Sequence, residues 1–340
     1  MSQLKKIGER TLKFSIPPVI LDARSIVGPK EGEGPLGDTF DRVIDDMYFG
    51  EDSWEKAERK LIEEVIKMML EKNNLAPKDV DFLFSGDLLN QTITSNFAAS
   101  TLGIPYLGLY GACSTMLEGL VLASMVIDGG FAAKVTAATS SHYCTAERQF
   151  RFPTEQGVQK PMTSQRTVTG AAAFLLGNEG KGPHITHATV GKVIDGGIKD
   201  AANLGAAMAP AAVDTIVTHL QDTGRSVKDY DLIVTGDLGY VGHSISLDLA
   251  SEKGFNISGV FNDCGILIYN PDQDTHSGGS GCACSGVVVA GHLLDTLRKG
   301  KYKRILVVGT GALLSSTSIQ QGETIPGIGH GLVIEAADPQ

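Results

Sequence analysis

The chain has 340 residues, of which 42% are hydrophobic and 20% are charged, the composition of a folded globular protein and not of a disordered one. Its 29 basic and 39 acidic residues give a net charge of −10, which disfavours nonspecific binding to nucleic acid. The sequence has no run of about 18 uncharged apolar residues, and its first residues lack the apolar segment of a secretory signal. We therefore expect a protein that is neither transmembrane nor secreted.

The cysteine content indicates reduced thiols. Five cysteines are an odd number in a chain of ordinary size, which is typical of a reducing compartment and not of a disulfide framework. Cys282 and Cys284 form a CxC pair, but no second Cys or His pair follows at zinc-finger spacing. We expect neither a bound metal nor a cofactor.

The first predicted elements alternate between strands and helices. Val19–Val27 is predicted to be a strand, and the Gly/Pro/acidic loop 28–50 after it is too long for a simple connector, which indicates an insertion or a flap. Ser53 predicts the N-cap of a helix that continues to Lys72 with apolar residues at helical spacing. Asp79–Leu88 then predicts a buried strand that ends in a turn.

Two internal echoes predict a duplicated chain. The segment DVDFLFSGDL at 79–88 returns 150 positions later as DYDLIVTGDL, and Ala112–Thr139 is echoed at an offset of 171 by Ala283–Thr310. The difference between the offsets predicts about 21 extra residues in the second copy. We place an N-terminal half at 1–178, with the 28–50 insertion and a cap segment at 143–168, and a C-terminal half at 179–340.

The same echoes predict how the halves pack. Each half alternates strands and helices, so each should form a mixed or mostly parallel sheet with helices on its faces. The helices predicted to begin at Ser114 and Ser285 are apolar nearly all round, which indicates burial on every side. We expect these two helices to lie between the two sheets, giving a five-layered αβαβα fold with pseudo-twofold symmetry.

Cys113 is the most informative single residue. It follows a predicted strand and a tight turn and stands at the start of a buried helix, where backbone N–H groups favour negative charge and can lower a thiol pKa or hold an anion. By position alone, Cys113 can also be a small residue that fills a crowded helix start.

The segment from Asp79 to His142 resembles the N-terminal half of the thiolase and ketoacyl-synthase superfamily. The resemblance lies in LGIP at 102–105 and in the helix start ACSTMLEGL at 112–120. It implies the five-layered fold, and it puts Cys113 at the position of the cysteine that accepts the acyl group in that superfamily.

The catalytic partners of that cysteine are absent from the expected loops. Carbon–carbon bond formation needs groups that stabilise an enolate and move a proton, and the resemblance implies histidines, an asparagine or a second cysteine on three C-terminal loops. Here those loops are Thr235–Asp237, Gly278–Cys284 and Val307–Gly309, and none contains histidine. The nucleophile position is therefore kept without its partners, and we expect no catalytic residues.

Three histidines are candidates to replace those partners. His243 and His276 are expected to be ordinary surface or loop residues. His142 follows the end of a predicted strand, which faces the pocket in open α/β sheets, although a packed structural histidine remains open.

The long acidic loop and the segments GACSTMLEGL (111–120) and SGGSGCACSGVV (277–288) also resemble a sporulation family, encoded in the stage V sporulation operon of endospore-forming bacteria. The resemblance implies a non-catalytic protein that binds dipicolinic acid, free or as its calcium chelate. It also implies that membrane proteins of the same operon act with it in the uptake of that compound into the developing spore. We expect the protein in the forespore, soluble or attached to the spore inner membrane through protein partners, because its charge disfavours anionic lipid. A homodimer remains open.

The resemblance places the ligand in the former acylation cleft, with carboxylates at the two helix starts and the glycine-rich loop. The expected ligand-binding residues are Cys113, Ser114, His142, Thr235, Gly236, Ser280, Gly281 and Cys282. The candidate counter-cations in the cap are Arg148, Arg151, Lys160 and Arg166, although a solvated basic loop explains each of them as well.

Two alternatives remain. One is an active acyltransferase or condensing enzyme of the ketoacyl-synthase type that uses Cys113 with His142 or His276. The other is a scaffold with a vestigial pocket that only docks membrane partners.

Overall fold

The computed structural model describes residues 4–150 and 159–337. Its strands are β1 (Lys6–Ile7), β2 (Thr11–Lys13), β3 (Val19–Val27), β4 (Arg42–Val43), β5 (Phe82–Gly86), β6 (Tyr106–Gly108), β7 (Lys134–Ser141), β8 (Arg166–Thr167), β9 (Gly170–Gly177), β10 (His184–Thr189), β11 (Leu232–Thr235), β12 (Phe261–Asp263), β13 (Gly279–Ser280), β14 (Arg304–Ala312) and β15 (Gly327–Glu335). Its α-helices are α1 (Pro29–Gly32), α2 (Trp54–Lys72), α3 (Ile93–Leu102), α4 (Thr115–Asp128), α5 (Tyr143–Phe150), α6 (Leu204–Thr223), α7 (Gly239–Glu252), α8 (Cys264–Leu267), α9 (Cys282–Val287), α10 (Leu294–Arg298) and α11 (Ser316–Gln320), and a π-helical segment, Val288–Leu293, joins α9 to α10.

The two halves repeat one strand order. The first sheet runs β6-β5-β7-β9-β3 and the second runs β12-β11-β14-β15-β10. In both, the second strand is parallel to its two neighbours, and the fourth strand is antiparallel to the third. A short β10–β3 pairing joins the sheets edge to edge. The predicted mixed sheets of a duplicated fold are thereby confirmed, and the boundary expected at residue 178 falls between β9 and β10.

The layers follow from the hydrophobic patterns. α4 and α9 pack against each other and against strands of the sheets, in the largest core cluster. Met116, Leu117 and Leu120 of α4 are fully buried, as expected for a helix without a polar face. α2 and α3 cover the outside of the first sheet, and α6 and α7 cover the outside of the second. The five predicted layers are therefore α2 with α3, the first sheet, α4 with α9, the second sheet, and α6 with α7.

The second central helix begins earlier than expected, at Cys282 and not at Ser285. Gly281 has φ +100°, a left-handed conformation that residues with a side chain rarely adopt. A Cβ there would also lie 2.9 Å from the Ser141 hydroxyl oxygen. Because the chain turns sharply at this glycine, the helix starts at the next residue.

The loop 28–50, expected as an insertion or flap, packs onto the body of the protein. Leu36 and Phe40 are buried in the largest core cluster, and β4 pairs with β3. The buried Glu31 carboxylate accepts a hydrogen bond from the Thr169 amide and contacts the Tyr269 hydroxyl. Apolar anchors and a buried carboxylate therefore hold the loop against both halves.

Most of the extra length of the second half lies between β12 and α9. The first half has a short connection there, from β6 to α4, whereas the second half adds α8 and the segment up to β13. β13 pairs in parallel with β8 as a separate two-stranded sheet. In the described part of the chain, no helix combines the length and apolar character needed to cross a bilayer.

Candidate functional site

Cys113 lies where the two halves meet. The preceding residue, Ala112, has φ +51°, a left-handed conformation that costs a non-glycine residue free energy. The turn is held by hydrogen bonds from the Ser114 hydroxyl to the Gly111 carbonyl and from the Thr115 hydroxyl to the Ala112 carbonyl, both 2.7 Å. The strained turn places the Cys113 thiol, buried at 7% exposure, against the second half.

The group that meets this thiol is a carboxyl. Asp237 follows β11, is 1% exposed, and lies close enough to Cys113 for its charge to act on the thiol. Its carboxylate also accepts hydrogen bonds from the Thr310 hydroxyl at 2.7 Å and from the Gly281 amide at 2.9 Å. Asp237 therefore links the ends of β11 and β14 and the start of α9 to the first half.

Burial and charge keep the thiol protonated. Burial raises the pKa of Cys113 well above its ordinary value, and the negative charge of Asp237 raises it further. The nearby Gly281 amide favours the thiolate, but its effect is smaller than these two. Burial also raises the pKa of Asp237 to about 6, so that this carboxyl is mostly ionised at neutral pH. The pair is therefore a neutral thiol beside a carboxylate.

The cavity beside Cys113 is small and mainly apolar. Its volume is about 40 Å³, enough for about three water molecules. Apolar and aromatic residues dominate its wall, and the polar members include Thr167 and Ser280. Apolar lining residues are Leu88, Ala112, Ala146, Phe150, Ala201, Leu204, Ala312 and Leu314.

Three of the eight expected ligand-binding residues meet in or at this cavity. Cys113 and Ser280 line it, and Cys282 packs with Cys113 in one small cluster. The Cys282 thiol donates to the Ser140 carbonyl at 3.0 Å, and burial raises its pKa well above the ordinary value. The structure thus supports their proximity and adds no reactive group.

Four others do not line the cavity, and their polar groups already have partners in the protein. The Ser114 hydroxyl donates a hydrogen bond to the Gly111 carbonyl, and the Thr235 hydroxyl donates one to the Asp263 carboxylate at 2.7 Å. The Gly236 amide donates to the Val308 carbonyl at 2.9 Å, and the Gly281 amide donates to Asp237. The expectation of amides left free for a ligand is therefore not met at Gly281, because the protein's own carboxylate occupies that helix start.

His142 points away from the cavity. Its Nε2 donates to the Met47 carbonyl at 2.8 Å, and its Nδ1 accepts from the Cys144 amide at 3.2 Å. Successive side chains of a strand face opposite sides. Ser141 faces α9, where its hydroxyl accepts a hydrogen bond from the Ala283 amide. His142 therefore faces loop 28–50, and burial lowers its pKa to about 4.

The other two candidate histidines also lie elsewhere. His243 is on α7 and stacks on Phe261 with ring centroids 4.7 Å apart. His276 lies 3.9 Å from the Asp274 carboxylate at a different cavity. All eight histidines lie in the described ranges, and none of them lines the Cys113 cavity.

The candidate cations have separate surroundings. Arg148 pairs with Glu55 at 3.0 Å, and Lys160 pairs with Glu147 at 2.8 Å. Arg166 and Lys160 line a second cavity of about 810 Å³ on another side of β8. Arg151 lies outside the described residues.

Asp237 and Thr310 are the site residues that the pattern of missing histidines did not single out. The repeat contained the signal, because GDL occurs at 86–88 and again at 236–238. Asp87 is buried as well, and it accepts hydrogen bonds from the Leu89 and Ser95 amides. An aspartate at the same place in both copies could have marked this position as structurally special.

Two buried carboxyl groups that interact, Glu58 and Asp87, lie in the first half. Glu58 of α2 is fully buried, and burial together with the charge of Asp87 raises its pKa to about 8. Its carboxyl oxygens accept hydrogen bonds from the Thr145 hydroxyl at 2.7 Å and the Ser140 hydroxyl at 3.3 Å. Glu58 is therefore mostly protonated at neutral pH. Among the residues that the structure describes, no group of three or more His, Cys, Asp or Glu side chains is arranged to hold a metal ion.

Comparison with solved structures shows the fold. The chain is similar to 3-oxoacyl-[acyl-carrier-protein] synthase III from Aquifex aeolicus VF5, with a TM-score of 0.56 and 14% identity over 94% of this chain and 99% of that one. It is also similar to human mitochondrial 3-ketoacyl-CoA thiolase in complex with CoA, with a TM-score of 0.58 and 14% identity over 96% and 99%. The predicted thiolase-like fold is thus confirmed.

Comparison of sequences shows the family. The family model for stage V sporulation protein AD matches residues 8–335. The protein of that name from Bacillus subtilis (strain 168) is 52% identical over 334 residues, covering 98% of this chain and 99% of the relative. The chain therefore belongs to the stage V sporulation protein AD family, whose members take part in sporulation, and it does so with a thiolase-like fold.

Proposed function

We propose that the protein is a non-catalytic member of the thiolase fold that binds dipicolinate and supports its uptake into the developing spore. The observation that carries the non-catalytic part is the buried Asp237 carboxyl, whose negative charge raises the pKa of the Cys113 thiol. A nucleophilic cysteine acts as its thiolate, and this neighbour opposes thiolate formation.

The same carboxylate opposes the later steps of a condensation. An enolate or tetrahedral oxyanion needs hydrogen-bond donors or positive charge where its negative charge develops. Asp237 would instead repel that charge, and no histidine lines the cavity in the described part of the chain. The space beside Cys113, about 40 Å³, is also small for an acyl chain.

A binding role fits the remaining features. The chain carries a net charge of −10, yet it has a polar cavity with lysine and arginine side chains. Proteins encoded with it and embedded in the membrane would be its partners. The net negative charge disfavours direct contact with anionic lipid, so a location at the forespore membrane would depend on these protein partners.

Acylation and calorimetry together test this function. Incubation with acyl-CoA and malonyl-CoA is expected to give no turnover and no acylated Cys113 in intact-mass spectra. Titration with dipicolinate, with and without calcium, is expected to give saturable binding of one ligand per chain. An acylated Cys113 that turns over would instead establish an acyltransferase, and no heat at millimolar dipicolinate would favour a scaffold.

A homodimer is part of the proposal. β6 is an outer strand of the first sheet, and exposed apolar side chains surround it: Phe97 and Leu107, each 53% exposed, and Tyr110, 47% exposed. An unpaired edge with apolar neighbours is well suited to pairing with a second copy about a twofold axis. The occupant we infer for this edge is therefore a second copy of the chain.

Leu107→Lys is expected to convert a dimer into a monomer at micromolar protein concentration. Each copy would bring one lysine to the twofold contact, so two like charges would face each other there. Sedimentation velocity would measure the change. Phe131→Lys is the matched control, because Phe131 is also exposed, at 78%, but lies away from β6. Equal sedimentation of wild type and Leu107→Lys would contradict this interface.

A further inference from the structure

The largest cavity near the predicted site is cationic, although the chain as a whole is acidic. It has a volume of about 810 Å³, and Lys30, Lys160, Arg166 and His276 line it together with Tyr143. Asp274 also lines it, but that side chain is 87% exposed and so largely solvated. Pockets of this volume accommodate small-molecule ligands.

Among the described residues, two of these cations have no carboxylate at ion-pair distance. Lys160 is matched by Glu147 at 2.8 Å. Within the described residues, neither Lys30 nor Arg166 has a carboxylate at ion-pair distance, and the buried Nε of Arg166 has no hydrogen-bond partner. A buried donor of this kind normally has an acceptor. The charge of Arg166 acts on the buried Glu31 carboxyl, but that carboxyl does not lie at ion-pair distance, so Lys30 and Arg166 still give the cavity positive charge.

Arg166 and Lys160 are held in place before any ligand arrives. The Arg166 guanidinium lies over the Tyr143 ring at 3.8 Å from the centroid, and the Lys160 ammonium lies over the same ring at 4.7 Å. The Arg166 amide donates to the Gly278 carbonyl at 2.9 Å, so that β8 is fixed against the second half. A guanidinium fixed in this way can take a carboxylate with two parallel hydrogen bonds at little entropic cost.

The Cys113 cavity offers the opposite conditions. It has about 40 Å³ of space, mainly apolar walls, and the Asp237 carboxylate behind the thiol. A dianion placed there would lose its hydration next to a like charge. β8 separates the two cavities, because Arg166 lines the cationic one and the next residue, Thr167, lines that of Cys113.

We propose that the cavity formed by Lys30, Tyr143, Lys160 and Arg166 is the binding site for a small planar dicarboxylate. Arg166 takes one carboxylate in bidentate fashion, and Lys30 takes the other. This inference rests on the proposed function, because that function supplies the ligand, and it moves the ligand away from the cysteine. Salt weakens the binding, because both carboxylates are held by charge.

Calorimetry of the full chain with dipicolinate tests the site. Arg166→Gln and Lys30→Gln are each expected to weaken binding at least tenfold, and Arg166→Lys is expected to retain part of the affinity, because it keeps the charge but loses the fork. Arg42→Gln is the matched control, since Arg42 also lies over an aromatic ring, at 4.8 Å from the Phe49 centroid, but lines no part of this cavity. Its affinity is expected to equal that of the wild type.

Other ligands test the chemistry. Pyridine-2-carboxylate, with one carboxylate, is expected to bind at least tenfold more weakly than dipicolinate. Displacement of dipicolinate by an equal concentration of inorganic phosphate would show a general anion site and contradict the inference. Circular dichroism would show whether each variant is folded. If Arg166→Gln does not fold, Arg166→Lys takes its place in the test.

The possible failures are distinct. If wild type binds dipicolinate, and the Arg166 and Lys30 variants bind equally well while Cys113→Ala does not, the ligand lies beside the cysteine. The cationic site is then wrong and the proposed function stands. If wild type does not bind dipicolinate at all, the proposed function fails, and this inference fails with it.

Discussion

Asp237→Asn is expected to make Cys113 react faster with iodoacetamide at pH 8, on the order of tenfold, because the substitution removes the negative charge that opposes the thiolate. The variant should also lose stability, by about 1–3 kcal/mol, because an amide cannot accept every hydrogen bond that the carboxylate takes from Thr310 and Gly281. Mass spectrometry of the peptide containing Cys113 would measure the rate. Condensing activity should not appear, since no proton-transferring histidine is introduced.

Asp263→Asn is the matched control for that experiment. Asp263 is also a fully buried carboxylate, and it accepts hydrogen bonds from Thr235 and from the Leu238 and Gly239 amides. Since it is not bonded to Cys113, its replacement should destabilise the protein to a similar degree without a specific gain at that thiol. An unchanged or slower alkylation rate in Asp237→Asn would show that Asp237 does not suppress the thiolate.

Glu58→Gln is expected to become more stable relative to wild type as the pH rises from 5 to 8. The folded-state pKa of Glu58 is about 8, above that of an unfolded glutamate. The folded protein therefore keeps a proton that the unfolded chain has lost, and wild-type stability falls as the pH rises between these two values. Glutamine removes this dependence, so the difference in unfolding free energy should change by about 3–4 kcal/mol across that range.

Wild type and variant must be compared at each pH, because buried histidines make the protein more stable as the pH rises, opposite to the effect of Glu58. Burial lowers the pKa of His142, His187 and His330 to about 4 and that of His219 to about 3. Between about pH 4 and 6.5 the unfolded chain holds protons on these histidines that the folded protein does not hold. Their contribution to stability therefore increases as the pH rises through this range. Urea unfolding of both proteins at each pH cancels this shared contribution.

Glu64→Gln on the same helix is the control for Glu58. Glu64 has a side chain that is 32% exposed, so its substitution measures the effect of replacing a glutamate of this helix by glutamine without full burial. A pH-independent difference between wild type and Glu58→Gln would mean that Glu58 is ionised in the folded protein.

Local patterns predicted the elements well. The strand Val19–Val27 and the helix Trp54–Lys72 have the expected bounds, and the Ser53 hydroxyl accepts a hydrogen bond from the Lys56 amide as an N-cap. Hydrophobic periodicity and capping depend on residues a few positions apart, and that is why they could be read without a structure. The two offsets of the repeat likewise predicted the duplicated sheets.

The site was predicted less well because its groups come from distant parts of the chain. Cys113 and Asp237 are 124 positions apart, and their contact exists only because the halves pack face to face. His142 was expected near the cysteine, but it follows directly after β7 on the side opposite Ser141, and its ring bonds to the Met47 carbonyl. Lys30 and Arg166 were not expected to share a cavity, since the packing of loop 28–50 decides where Lys30 lies.

The order of residues alone determined a doubled α/β architecture, two buried central helices, and a cysteine stripped of the usual histidines, because each of these is encoded in spacing or residue type. Only the packing of the halves decided that a carboxylate lies near the thiol, that the space beside it is small, and that lysine and arginine side chains gather across β8. Those features depend on which side chains come within a few ångströms of each other, and no local pattern encodes such long-range contacts.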